Sequence, residues 1–256
     1  MSSTSLLTRA TQPMGDFIGF TLDTFVAMFT NKLQWREFVQ QTWFVTSVSL
    51  GPAILLAIPF VALVTFQFNN VLAEIGAVDL SGSGAAFGTV TQIGPVATTF
   101  VIAGASSTAI CADIGARRIR EELDAMEVLG IDPIHRLVVP RVLATAVNAF
   151  FLNSVMILIG LAGGYFFAVF LQDASPGQFI DSMTLLVGFG DLIHGEFRAV
   201  VFGIVGALIG CYRGMTCKGG SQGVGNAVNE TVVFAFMALF PINIVLTQIP
   251  YSLGLL

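Results

Sequence analysis

Apolar residues run through this chain in five long blocks, at about 46–66, 88–114, 137–171, 196–212 and 227–249. Each is close to or beyond the ~20 residues that a helix needs to cross a bilayer, and none shows the strict alternation of a strand. The pattern predicts an all-α, polytopic integral membrane protein with five transmembrane helices. Pro52 and Pro59 fall inside the first block and imply kinks, or carbonyls satisfied by neighbouring helices. The run Ala103–Ala109, AGASSTA, is small enough for close helix approach, as is Gly206-x-x-x-Gly210 in the fourth block. The third block is longer than a membrane is thick, so it must tilt or protrude.

The segments between the blocks differ in kind. Ahead of the first, Phe17, Phe20, Phe25 and Phe29 alternate with Asp16, Thr21, Asp23 and Thr24. This is too polar to span and suits a helix lying in the membrane interface; a mobile tail is the alternative. The N-terminal interfacial region is taken as 13–45, with Trp35 and Trp43 at headgroup depth. Residues 67–87 read as a polar Gly/Ser-rich loop carrying Glu74 and Asp79, and 172–195 as a loop carrying Asp173, Asp181 and Asp191. Residues 213–226, RGMTCKGGSQGVGN, read as a glycine-rich loop packed on the charged segment described next.

That segment, Asp113–Arg141, is unlike the rest of the chain. Its part 115–136 is the cytoplasmic loop between spans 1–2 (46–114) and spans 3–5 (137–256) of a single domain. Gly115–Gly130 reads as one short helix with an apolar stripe at Ile119, Leu123 and Met126. Gly130 is placed to cap it, and Pro133 prevents continuation. Arg117, Arg118 and Arg120 precede Glu121, Glu122, Asp124 and Glu127, the reverse of what a helix dipole favours. The pairs Arg117–Glu121, Arg118–Glu122 and Arg120–Asp124 also run in the weaker direction, base before acid. Local helix stability does not explain this order. A solvated connection and a helix that docks on a partner both remain open.

Charged residues are 11% of the chain, too few to cover a soluble globule, and the net charge of −5 argues against a nucleic-acid partner. Ten of the eleven Lys and Arg residues fall before the first span, in the charged segment or in the glycine-rich loop; Arg198, at the outer edge of span 4, is the exception. The positive-inside rule therefore places the N-terminus in the cytoplasm and, with five spans, the C-terminus outside. No cleavable signal peptide is expected. Cys111, Cys211 and Cys217 suit neither a zinc site nor a disulfide framework. The glycine-rich loop lacks G-x-x-x-x-G-K-[ST], because Lys218 precedes the glycines. His135 and His194 fall on opposite membrane faces, and no catalytic or metal-binding set assembles. Glu230 is the main charge within a span, fewer than ion-coupled transport usually shows.

Several stretches resemble the MlaE/YrbE permease family of Mce-type lipid ABC transporters. They are Ile93–Val96 (IGPV), Ile119–Met126 (IREELDAM), Leu129–Pro133 (LGIDP), Val138–Arg141 (VVPR), and Gly219–Gly225 followed by Thr231–Val233. The resemblance runs from about Phe17 to the end. It implies a permease that binds no cofactor itself, two copies of a cytoplasmic ABC ATPase that carry ATP and Mg, a second permease subunit, and external Mce proteins forming a lipid conduit. It makes the charged segment the coupling helix, with Arg118, Glu121, Glu122, Leu123, Asp124, Ala125, Met126, Leu129, Gly130, Asp132 and Pro133 facing the ATPase. Thr91-Gln92, Gly104–Ser107 and Asn243 depart from the family pattern, which suits a specialised copy in a heterodimer of two YrbE-like subunits, as in an actinobacterial A-type subunit. An apolar lipid path near the outer end of span 1 is expected at Phe60, Leu63, Phe66 and Phe68, with Gln92 as its polar neighbour; side chains that merely face lipid are the alternative. The substrate would be a fatty acid, mycolic acid, sterol or phospholipid. A stand-alone secondary transporter or channel, or a membrane scaffold, are the other readings.

Overall fold

The computed structural model describes residues 3–30, 32–74, 76, 77, 80–172 and 174–253; Asp79 and Asp173 lie outside them. Among the described residues every regular element is helical. Five helical stretches are long and apolar enough to cross a membrane: Trp35–Leu72, Ser81–Ile119, Ile134–Leu171, Phe189–Met215 and Gly220–Gln248. The chain is therefore a multi-pass, all-α membrane protein.

Helix α1 (Ser3–Thr30) precedes the spans and docks through Phe17 and Phe20, whose rings lie 5.3 and 5.6 Å from that of Tyr212. The chain turns before Trp35, and α2 (Trp35–Glu74) continues without a break through Pro52 and Pro59. The helix that carries the first span thus begins at Trp35, within the stretch 13–45 read as interfacial. Residues 35–45 continue into the first span as one helix, in which the Thr42 and Thr46 hydroxyls donate to the carbonyls one turn back, at 2.9 and 2.7 Å.

The second span comprises α3 (Ser81–Phe87), a π-helical turn at Gly88–Ile93, α4 (Gly94–Val101), a second π turn at Ile102–Ser106 and α5 (Ser107–Ile119). It starts earlier than the polar pattern of 67–87 suggests. Ser81–Ala86 is buried, and a Cβ on Gly82 would meet the Phe179 carbonyl at 1.9 Å. The Ser/Gly composition reflects tight packing against α8 (Pro176–Ser182), not solvation.

Within the charged segment lies α6 (Glu122–Val128), followed by a π turn at Ile134–Val138 leading into α7 (Val139–Leu171), close to the predicted third span. Helix α9 (Phe189–Met215) packs along α5 and α7. A Cβ on Gly206 would come 2.4 Å from Ile102 Cγ2, and one on Gly210 2.5 Å from the Ser107 carbonyl oxygen. The two small-residue motifs read from the sequence are therefore one seam between the second and fourth spans. The glycine-rich loop contracts to 216–219, because Gly219 and Gly220 take φ of 93° and 67° and let α10 (Gly220–Leu253) begin at once. It packs on α5, where Cys217 and Val224 lie against Gly115, rather than on α6.

Candidate functional site

The charged segment is two helices, not one. Helix α5 ends at Ile119; Arg120 leaves helical geometry, and Glu121 takes the left-handed φ of 60°. Arg117 and Arg118 thus close one helix, while Glu122 and Asp124 open the next. The charge order that is adverse across a single helix is favourable for two, since each sign now sits at the dipole end that stabilises it. None of the three expected i, i+4 pairs forms. Instead Arg118 bonds Asp124 across the break, Arg120 bonds Glu122 at 2.8 Å, and Arg117 lies 3.6 Å from Asp113 and 3.9 Å from Glu122. Helix α6 ends as expected: Gly130 has φ 73°, its N–H reaches the Glu127 carbonyl at 3.0 Å, and the Ile131 N–H reaches the Met126 carbonyl at 2.9 Å. Asp132 then accepts the Ile134 N–H at 2.9 Å, and Pro133 is buried at the start of the helix leading into the third span.

Burial divides the segment into anchor and tip. Leu123 is 2% exposed and packs with Ile110, Ile114, Leu137 and Val138, so it belongs to the permease's own core; Met126 packs partly against the same cluster. Ile119 is half out of it. The apolar tip is Val128 and Leu129, 88% and 74% exposed, beside exposed Glu121, Asp124, Ala125, Glu127 and Asp132. Val128 escapes the sequence reading because it lies off the stripe, and only burial distinguishes its role from that of Leu123.

The loop is held at its base. Arg141, 0% exposed, donates to Asp113 at 2.5 Å and to the Leu137 carbonyl at 2.7 Å, tying the start of the third span to the end of the second. His135 contacts the Lys32 carbonyl at 3.2 Å and Arg136 bonds Gln34, which ties the same stem to the turn between α1 and α2.

The spans hold more polar chemistry than expected. Arg198 is not at an outer edge; it is 1% exposed within α9, donating to the Thr91 carbonyl at 2.8 Å and to the Asn243 side chain. It thereby bridges two of the three positions that depart from the family pattern. Buried Glu196 takes a hydrogen bond from Ser154 at 3.0 Å, and Asn148 bonds Ser49 and Thr46. Glu230 pairs with Arg213 and is half exposed, so the main charges within the spans are Arg198, Glu196 and Arg141 instead. A charge buried this deeply is invisible to a count of residue types along the chain.

The residues expected along a lipid path are scattered over the first two spans and face different surroundings. Phe60 packs on the main apolar core, Phe68 covers Gly84, Leu63 and Phe66 face outward, and Gln92 is exposed on the first π turn. A cleft of about 370 Å³ opens between the same two spans and is lined by Pro52, Leu56, Phe100, Val101, Gly104 and Ala105. The Phe100 ring also meets Phe236 and Phe240 of the last span, at 5.6 and 5.7 Å. Among the described residues, no group of three His, Cys, Asp or Glu side chains is placed to hold a metal.

Five spans, a charged loop between the second and third, and an exposed apolar tip on that loop make this a multi-pass membrane protein of the transport-permease kind, the class to which its relatives belong. Residues 38–249 match the family Permease MlaE, and the chain belongs to it. It is 32% identical to a probable ABC transporter permease protein of Synechocystis over 233 residues, covering 91% of this chain and 88% of that one. It is 30% identical over 196 residues to the intermembrane phospholipid transport system permease protein MlaE of Haemophilus influenzae, covering 76% and 72%. It is also 30% identical over 218 residues to the chloroplastic protein TRIGALACTOSYLDIACYLGLYCEROL 1 of Arabidopsis thaliana, covering 85% of this chain and 62% of the plant protein.

Proposed function

We propose that this chain is the permease subunit of an ATP-driven, Mce-type lipid transporter in a bacterial inner membrane. It would move a long-chain lipid between that membrane and an external conduit of Mce proteins. It pairs with a second YrbE-like subunit, and the two are driven by two copies of a cytoplasmic ABC ATPase that carry ATP and Mg. The observation that carries this reading is the tip of the charged loop. Val128 and Leu129 stand out from a buried base formed by Leu123 and the Arg141–Asp113 pair, ringed by acids. An apolar knob on a fixed stem is what transmission of a partner's motion requires. Membership of the permease family and the phospholipid-transport name of the Haemophilus relative support the lipid assignment.

The contact set shifts from the one the sequence suggests. Glu122, Asp124 and Arg118 spend their charge within the loop, so Val128, Leu129, Glu121 and Glu127 are the side chains offered to the ATPase, with Ala125 beside them. Burying a side chain such as Val or Leu is worth about 1.5–3 kcal/mol. Val128→Lys and Leu129→Lys should therefore release the ATPase while the permease stays inserted, as read by co-purification and lipid uptake. If both variants keep the ATPase and transport normally, the loop is a solvated connection and the proposal fails.

A further inference from the structure

Two cavities meet at Arg213, at the membrane face that carries the charged loop. One is an apolar slot of about 210 Å³ between α1, α9 and α10, walled by Met14, Phe17, Tyr212, Phe234 and Ala238. The other, about 240 Å³, is polar and lined by Thr216, Lys218, Asn226 and Glu230 among others. Arg213 lines both. Its guanidinium sits 5.1 Å from the centre of the Phe234 ring and pairs with Glu230. Arg213 ends a span and α1 is the amphipathic helix, so the slot opens at bilayer depth and the polar cavity at headgroup depth. Apolar space followed by charged space is the order in which a membrane lipid presents its own parts.

We infer that this is a lipid-binding site, separate from the cleft between the first two spans, and that it takes a phospholipid whose headgroup carries both a phosphate and a primary ammonium. The charges select that class. Arg213 has five N–H donors, of which a carboxylate uses at most two, and Lys218 adds three more. Both cations line the same cavity, so a phosphate entering it would meet two positive charges. Glu230, half exposed beside them, repels a purely anionic headgroup but accepts an ammonium. The Phe17–Tyr212 contact forms one wall of the slot, so an acyl chain lodged there holds α1 against the spans. The site requires only that the chain lies in a membrane, so lipid retention and ATPase co-purification can fail independently.

The test is native mass spectrometry of the full chain titrated with phosphatidylethanolamine, phosphatidylcholine and phosphatidylglycerol of identical acyl chains. Phosphatidylethanolamine should be retained best. Lys218→Gln, on an exposed turn where folding is not at stake, should weaken it about tenfold, equivalent to ~1.4 kcal/mol. Glu230→Gln should erase its advantage over phosphatidylglycerol. Ala238→Trp, which fills the slot, should reduce retention of all three. Equal retention of the three lipids by the wild-type chain and every variant would overturn the site. So would an Ala238→Trp chain that keeps its lipid but loses association with a second permease copy, since the slot would then be a subunit interface.

Discussion

Glu121 places a side chain at φ 60°, where the steric cost to an L-residue is about 1–2 kcal/mol and glycine is the usual occupant. The position is set from both sides, by arginines that close α5 and acids that open α6, so the chain tolerates the strain. Glu121→Gly should remove it, raising thermal stability by about 1 kcal/mol, and should weaken ATPase co-purification through loss of a carboxylate offered to the partner. Glu121→Pro fixes φ near −65° and cannot make this turn; it should detach the loop from its seat and lose the ATPase. Thermal unfolding of the two purified variants together with their ATPase retention checks both. A glycine variant that keeps the ATPase fully would show that the turn, and not the Glu121 carboxylate, serves the partner. No pairing rule predicts this turn, because such rules assume one continuous helix; the reversed charge order was the legible trace of it.

At the scale of elements, the stem of the loop rests on one ion pair with unequal burial. Arg141 is wholly enclosed, whereas the Asp113 carboxylate is about a third exposed. Removing the carboxylate strands a buried charge; removing the guanidinium leaves an acid that water and Arg117 can still reach. Asp113→Asn should therefore cost more than Arg141→Met, toward roughly 3–5 kcal/mol against a smaller loss. Denaturant unfolding in detergent measures the order, and the reverse order would show that packing around Arg141 outweighs its charge. A second element-scale test concerns the seam of small residues. Gly210→Leu must push the second and fourth spans apart, since even a Cβ would lie 2.5 Å from the Ser107 carbonyl, whereas Gly104→Ala meets open space. The first should prevent stable assembly and the second should not, as read by size-exclusion chromatography. Spans were legible because apolar length is local information. Their ends were less so: Ser81–Phe87 and Gly220–Asn226 look like loops by composition, yet both are helix; the first needs small residues for close packing against α8, and the second begins at once because Gly219 and Gly220 take positive φ. The buried site chemistry was least legible, since Arg198 and Leu123 acquire their roles from partners far along the chain.

At the scale of the whole molecule, the orientation with the N-terminus in the cytoplasm is a prediction from the placement of the basic residues. The one basic residue that counted against an N-terminus in the cytoplasm was Arg198, and it is enclosed within α9 rather than set in a loop. The connections on the far side, around residues 75–80 and 172–188, carry acids and no Lys or Arg. The other ten basic residues fall in or beside segments on the loop-bearing side. With five spans, the C-terminus then lies on the face opposite the charged loop. A green fluorescent protein fused after Leu256, which folds to its bright form in the cytoplasm, should be dark, and an alkaline phosphatase fused there should be active. The same reporters inserted after Ile131, in the charged loop, should behave oppositely. The two positions test each other, because one flip of the whole chain reverses both, whereas an even number of spans makes them agree. Bright fluorescence at both sites would refute the odd span number. Bright fluorescence at the C-terminus alone would place the charged loop outside, where no cytoplasmic ATPase could reach Val128 and Leu129, and the permease reading would lose its driving partner.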